Sequence, residues 1–272
     1  NLQINDCIFS GSGYAGILAD AKTSDLTIFE NEIQKNLYGI ILDGSNSCQI
    51  LKNTITENHY DGIKLDHGVS NTNVEENYCS KNRNGGISLY SATNNSINNN
   101  ICEFNNPSGI LLHESSENAL SQNRLMRNIR GINCYYSDHN TLINNEIIGN
   151  DATGIMLQPS GHNKILKNLI IGNTAEGILI TNAVSRNQQN LITDNYFENQ
   201  KNIRVQEGGN PNYVWNEPLS PGTNIVGGGM KGGNVWADPE GQGFSQTCQD
   251  QNNDGICDLP YSIITGNNDE FP

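Results

Sequence analysis

The chain has no apolar run approaching the roughly 18 residues that a membrane-crossing helix needs, so no membrane span is expected. It is also short of positive charge, with 15 Lys and Arg against 29 Asp and Glu and a formal net charge of −14. No basic stripe is present to offset phosphate, which excludes nucleic acid as a partner. Only 35% of the 272 residues are hydrophobic, too few for a thick globular core. Proline is scarce, at 8 residues, and both tryptophans, Trp215 and Trp236, fall late in the chain. No CxxC pair occurs among the 7 cysteines, so a zinc or redox site is not expected from them. Neither a signal peptide nor an initiating methionine precedes Asn1, and the expectation is a mature fragment whose leader lies upstream.

Glycine and asparagine are abundant instead. Such a polar mixture would read as disorder, but the apolar residues are strictly periodic. Gly-Ile pairs begin at Gly16, Gly39, Gly62, Gly86, Gly109, Gly131, Gly154 and Gly177, and Asn202-Ile203 continues the row. A period of about 23 residues is the signature of a solenoid. Two residues after each isoleucine stands another inward residue, as in Leu42, Leu65, Leu89 and Leu112, which is strand alternation. A second row runs Leu2, Ile28, Ile50, Val74 and onward, and a third runs Cys7, Ile33, Ile55, Cys79, Cys102 and onward. Three short strands per coil with no helical period predict an all-β, right-handed parallel β-helix of about nine coils over residues 1–206. At roughly 4.8 Å per stacked strand, the rod would be about 43 Å long.

Asparagines separate the strands in three rows, represented by Asn53, Asn58 and Asn95 with their repeats. The expectation is that they take the left-handed backbone of the corners and stack their amides from coil to coil. Cys7, Cys79, Cys102 and Cys134 are expected to be small buried hydrophobes, with Cys48 just before a strand.

From residue 207 the rhythm breaks into Pro, Gly and Trp, and residues 207–272 are read as an irregular C-terminal cap over the open end of the core. Inside it, Asp250, Asn252, Asp254 and Asp258 stand at positions 1, 3, 5 and 9 of a calcium-type loop, with Gly255 at position 6 and the Ile256 carbonyl as a further ligand. Position 12 is Tyr261 rather than glutamate. The expected role of calcium is structural. Cys248 and Cys257 flank the loop and form an expected disulfide in an exported protein.

Chemistry must come from outward residues that neighbouring coils bring into line. Four places after each Gly-Ile glycine lie Asp20, Asp43, Asp66, Tyr90, His113 and Tyr135; the next place adds His67, Glu114, Tyr136 and Glu207. Asp66, His67, Tyr90 and His113 are therefore candidate catalytic residues, and Lys64, Glu114 and Tyr135 candidate substrate-binding residues. Acid, base and phenol together suit proton transfer beside a sugar carboxylate. Aromatics among hydrogen-bonding groups equally suit plain saccharide binding, and a solvated polar edge would look the same. His59, His139 and His162 fall at turns, in different phases. Outward apolar pairs, Ile143 with Leu166, Ile148 with Ile171 and Met156 with Leu179, point to a packed loop or a homo-oligomer interface.

The Asn and Gly-Ile coils resemble the NosD-like family of parallel β-helix proteins, which is grouped with carbohydrate-binding and sugar-hydrolase β-helices. The tail, with Pro221-Gly222-Thr223-Asn224, Gly233-Asn234-Val235-Trp236 and Asp254-Gly255-Ile256-Cys257-Asp258, resembles the closing segment of exported NosD-like proteins of methanogenic archaea. The resemblance implies an extracellular or cell-surface protein that binds or modifies a polysaccharide (a lyase, epimerase or hydrolase if an enzyme). A structural or adhesion module is the alternative, and the family name adds a copper-related accessory role. Related alginate epimerases carry an Asp-Pro-His-Glu-type motif, whereas this chain has Leu65-Asp66-His67-Gly68 and Leu112-His113-Glu114 without the proline.

Overall fold

A computed structural model describes residues 2–181, 189–206, 213–264 and 267–272. Segments such as Thr54-Ile55-Thr56, β-branched throughout, set one apolar residue between two polar ones. They form strands only three residues long, with the central side chain buried. Their partners lie one coil away, in register and parallel: Ile33 opposes Ile55, which opposes Cys79. The coils stack into a right-handed parallel β-helix with sheets of nine, ten and nine strands, the third running from Ala15–Ala19 to Ile203–Val205. The inward side chains form one continuous column of Ile, Leu, Val and Cys.

The asparagine rows hold the corners in a different way from that expected. The left-handed residue is not the asparagine but the exposed residue before it: Lys52 (φ 54°), Glu57 (φ 56°) and Gln122 (φ 55°) precede Asn53, Asn58 and Asn123. The asparagine itself is buried and works through its amide. Asn53 Nδ2 donates to the Ile28 carbonyl of the preceding coil at 3.0 Å and to Asn77 Oδ1 of the next at 3.0 Å, while Asn53 Oδ1 accepts the Asn31 N–H at 3.0 Å. A corner leaves backbone groups outside the strand ladders, and buried backbone groups must be paired. The amide ladder pairs them. Cys7 shows the same geometry from the other side. Its N–H donates to Asn31 Oδ1, so it occupies the corner place, is exposed, and does not join the inward row. The inward residues of the first coil are Ile4 and Phe9, paired with Ile28 and Ile33, while Leu2 is exposed.

The Gly-Ile glycines mark a close approach between coils. A Cβ on Gly62 would lie 2.6 Å from the Gly86 carbonyl oxygen and 2.8 Å from Asn82 Nδ2. No other residue fits there without moving backbone.

The tenth strand of the second sheet is Val235–Ala237, from within the segment read as cap. Trp236 stacks on Phe197 with ring centroids 4.7 Å apart, and Trp215 and Tyr261 pack on Trp236. These rings plug the open end of the core. Two short antiparallel pairs and the single helix Phe244–Thr247 complete this end among the described residues.

Candidate functional site on the third sheet

Strands of the third sheet run to six residues, as in Tyr38–Asp43 and Gly85–Tyr90, and so present more outward positions than the other two sheets. Register places Asp43 beside Asp66, and Tyr90, His113 and Tyr135 in a row. The following corner carries His67, Glu114 and Tyr136, all left-handed at φ 50°, 51° and 48°. A serine ladder supports it from within: the N–H groups of Ala92, Ser115 and Ser137 donate to the hydroxyls of Ser115, Ser137 and Ser160, each at 3.0 Å. Glu207, read as a member of the outward set, lies outside the described residues.

Lys64 is the centre of the strip. Its Nζ lies 2.5 Å from Asp66 Oδ2, and it sits 5.7 Å from the Tyr38 ring centroid and 5.0 Å from that of Tyr90. Burial pulls the Lys64 ammonium pKa down, but the bond and the charge of Asp66 more than offset this and leave it raised. His67 Nδ1 lies 2.6 Å from Asp43 Oδ1, and that bond, with the nearby Asp66 charge, raises the imidazole pKa although the ring is exposed. Aromatic rings extend the strip both ways. Tyr14 packs edge-on against Tyr38, which stacks with Tyr60 at 4.9 Å; on the other side Tyr90, His113 and Tyr135 follow one another at 5.5 and 4.9 Å.

Asp61 was not among the sequence candidates, yet it anchors the strip. Only 1% of it is exposed. Its carboxylate accepts Asn84 Nδ2 at 2.9 Å, the Gly85 N–H at 3.0 Å and the Ser88 hydroxyl. Asn84 also donates to the Tyr90 hydroxyl at 3.2 Å. Burial raises the Asp61 pKa against these hydrogen bonds, and burial followed by the Asp61 charge raises that of Tyr90. The available signal was Gly85, one coil on: a Cβ there would meet Ser88 Oγ and sit 3.0 Å from Asp61 Oδ1.

Lys64, Asp66, His67 and Tyr90 thus come together, whereas His67 and His113 do not: the first faces Asp43 on the preceding coil, the second stacks between Tyr90 and Tyr135. Glu114 sits exposed at its corner. A disulfide joins Cys248 and Cys257, with Cα atoms 5.7 Å apart. In the loop it closes, Asp250 Oδ2 accepts the Gly255 N–H at 2.9 Å and Asp254 Oδ1 the Ile256 N–H at 2.9 Å, and Asp258, just beyond the loop, accepts the Gln251 N–H on Oδ2 at 3.0 Å. Asn252 Oδ1 accepts the Asp254 N–H at 3.0 Å. His139 and His162, expected in different phases, instead share one corner and stack at 4.8 Å. The outward apolar pairs do line up, and the chain itself partly covers the first: Ile143 and Leu166 line a cavity of about 190 Å³ with Glu217, Ser220 and Lys231 of the closing segment.

Fold and strip define a right-handed parallel β-helix whose third sheet carries a polar, aromatic face. The chain belongs to the NosD family: the family described as periplasmic copper-binding protein (NosD) matches residues 1–101 and 67–241. No curated protein matches it in sequence. Among solved structures it resembles the periplasmic alginate epimerase AlgG (20% identity, TM-score 0.62), covering 70% of this chain and 49% of that one. The A-module of the Azotobacter vinelandii mannuronan C-5 epimerase AlgE6 is similar at 15% identity and TM-score 0.54, over 71% of this chain and 58% of that one. Pectate lyase Pel9A is similar at 12% identity and TM-score 0.60, over 78% and 69%. The chain spans about half the length of the alginate epimerase it matches. Copper, named in the family description, needs donors that converge. Among the described residues no three or more His, Cys, Asp or Glu side chains converge, as placed, on one metal ion, and Cys48, Cys79, Cys102 and Cys134 are enclosed in the core. As placed, the described His and Cys residues do not fit a copper centre. No helix among them is long and apolar enough to cross a membrane.

Proposed function

We propose that the chain is an exported polysaccharide-binding β-helix that holds a glycan along the third sheet. The observation that carries this is the run of aromatic faces on successive coils, interrupted at its centre by Lys64 and bordered by Asp43, Asp66 and His67. Pyranose rings offer apolar faces and hydroxyl edges. Tyrosine offers the matching ring face with a polar tip. Carbohydrate-acting β-helices among its structural relatives support the same reading. The Cys248–Cys257 disulfide and the periplasmic family description support an oxidising compartment outside the cytoplasm. A Tyr38→Ala/Tyr90→Ala double variant should weaken glycan retention in affinity electrophoresis by at least about tenfold, since interface aromatics are commonly worth 1–2 kcal/mol each or more. His162→Ala, outside the strip, should leave retention unchanged. Equal retention of the double variant and the parent would remove the strip as the binding site.

The same strip supports a second, catalytic reading. A buried acid with a raised pKa, Asp61, is linked through Asn84 to the Tyr90 hydroxyl, close to the Lys64 ammonium. Polysaccharide modification by proton transfer would use Tyr90 and Lys64 at the substrate, with Asp61 as the positioning group.

Calcium at the C-terminal loop is proposed on donor chemistry: Asp250, Asn252, Asp254, Asp258 and the Ile256 carbonyl form an all-oxygen set suited to a hard cation. As positioned, these side chains serve backbone N–H groups, and binding would require the exposed carboxylates to turn inward. Calcium should then raise the melting temperature of chelator-treated protein by several degrees. An Asp250→Asn/Asp254→Asn variant should not respond, and a parent melting curve indifferent to both chelator and calcium would refute the loop assignment.

A further inference from the structure

We infer that the glycan held by this strip is a neutral, hydroxyl-rich chain rather than a polyuronate. This rests on the proposed reading of the strip and deepens it by naming the substrate class. It also departs from the uronate polymers that the names of the epimerase and pectate lyase relatives imply.

A polyuronate presents a carboxylate on every sugar. A site for it needs cations that are not already paired. Here the central cation, Lys64, lies 2.5 Å from Asp66 Oδ2, so its charge is offset within the protein. His67, the other cationic candidate, is turned to Asp43 at 2.6 Å. Glu114 adds a third carboxyl group, exposed on the flanking corner, so Asp43, Asp66 and Glu114 outnumber Lys64 and His67 even without the buried acid Asp61. The strip therefore offers carboxylates in excess of cations, on a chain whose formal net charge is −14. An approaching polyanion would meet repulsion of the same sign from the site and from the whole molecule. An uncharged glycan would not. It can stack on Tyr38, Tyr90 and Tyr135 and hydrogen-bond to Asp66, Asp43 and the phenol hydroxyls without displacing an ion pair. From Tyr14 on the first coil to Tyr135 on the sixth, the rings rise about 24 Å along the axis at 4.8 Å per coil and cross the sheet from the strand start at Tyr38 to the strand ends at Tyr90 and Tyr135, room for several sugars on a diagonal.

The experiment measures binding of the whole chain to size-matched neutral hexose oligosaccharides (gluco-, manno- and galacto-configured) and to oligouronates. It uses calorimetry in chelator and again in calcium, from low salt to about 0.3 M. The expected result is binding of at least one neutral series with little dependence on salt. Oligouronates should bind at least about tenfold more weakly, and worst at low salt, where charge repulsion is least screened. Reversing two borders of the strip, Asp43→Lys with Glu114→Lys, should shift the ratio of oligouronate to neutral-chain binding by at least about tenfold toward the oligouronate, whatever the change costs the neutral ligand; far-ultraviolet circular dichroism confirms that the variant is folded, and an unchanged ratio would count against charge as the basis of the selection. Oligouronates binding as well as the neutral chains, or overtaking them once calcium is added, would overturn this inference and leave the strip as a glycan site. Binding of neither class would instead overturn the reading of the strip itself, and this inference with it.

Discussion

Asn123→Ala should destabilise the protein by about 4 kcal/mol, far more than its size suggests. Asn123 lies near the middle of the first ladder and is fully buried. Its Nδ2 donates to the Ile97 carbonyl at 2.8 Å and to Asn145 Oδ1 at 3.0 Å; its Oδ1 accepts the Asn100 N–H at 3.0 Å and Asn100 Nδ2 at 3.0 Å. Alanine would leave the Asn100 N–H unpaired and deprive the Ile97 carbonyl, Asn100 Nδ2 and Asn145 Oδ1 of one bond each. Leaving a buried polar group unpaired costs about 1–3 kcal/mol, so one such group, three weakened ones and the void left by the lost amide place the loss among the largest expected of a single substitution. The neighbouring corner residue is the control. Gln122 is exposed with φ 55°. Gln122→Gly relieves about 1–2 kcal/mol of left-handed strain and adds about 0.5–1 kcal/mol of chain entropy cost, so it should be neutral or slightly stabilising. Urea unfolding of both variants, compared at constant m-value, checks the pair. Similar losses at the two positions, or a mild loss at Asn123, would show that the amide ladder is not what holds the corners.

That contrast also shows what could be read from the sequence. Asn53, Asn77, Asn100 and Asn123 declare themselves because burial beside bare backbone groups demands one side chain with both a donor and an acceptor. Lys52, Glu76, Asn99 and Gln122 share no chemistry. They carry the left-handed strain, but their side chains point to solvent, so any residue able to tolerate the backbone serves. Residue identity therefore assigns the strain to the wrong neighbour. In the first coil no earlier copy fixes the frame, and Asn5 imitates the corner residue while Cys7 occupies the corner. The site divides in the same way. Lys64, Asp66, His67 and Tyr90 were legible because outward rows follow from the period. Asp61 was not, because its meaning lies in Asn84, Gly85 and Ser88 one coil away, and a row-by-row comparison treats a place that changes at each coil as free. The closing segment yields least to periodicity, since its order comes from stacked aromatic rings and one buried carboxylate, not from a repeat.

That carboxylate, Asp269, should give the protein a distinct loss of stability between about pH 4 and pH 6. The first asparagine ladder runs to Asn234, and Asp269 takes the place of the next member. Its Oδ2 accepts the Asn234 N–H at 2.7 Å, Asn234 Nδ2 at 3.1 Å and the Trp236 indole N–H at 2.9 Å. Asp269 is fully buried, and burial pushes its pKa up to about 6 from the ordinary 3.8, outweighing the hydrogen bonds that favour the charged form. The folded state therefore holds this proton at a pH where the unfolded chain has released it. Stability falls as pH rises from the unfolded pKa to the folded one, and is flat with respect to this group above and below. The shift corresponds to about 3 kcal/mol, as an order of magnitude. Asp269→Asn keeps an acceptor for Asn234 and Trp236 and cannot ionise. The difference between parent and variant unfolding free energies should therefore change by about that amount across pH 4 to 6, with the variant gaining on the parent as pH rises. Asp269→Ala should behave otherwise: it strands the Asn234 N–H and the Trp236 indole at every pH, costing about 2–4 kcal/mol throughout. A difference curve for Asp269→Asn that stays level from pH 4 to 6 would mean that the carboxylate ionises normally where it sits. The four N–H donors around it, with the Phe271 N–H on Oδ1 as the fourth, would then outweigh its burial, and the closing segment would draw its stability from a fully charged end to the ladder.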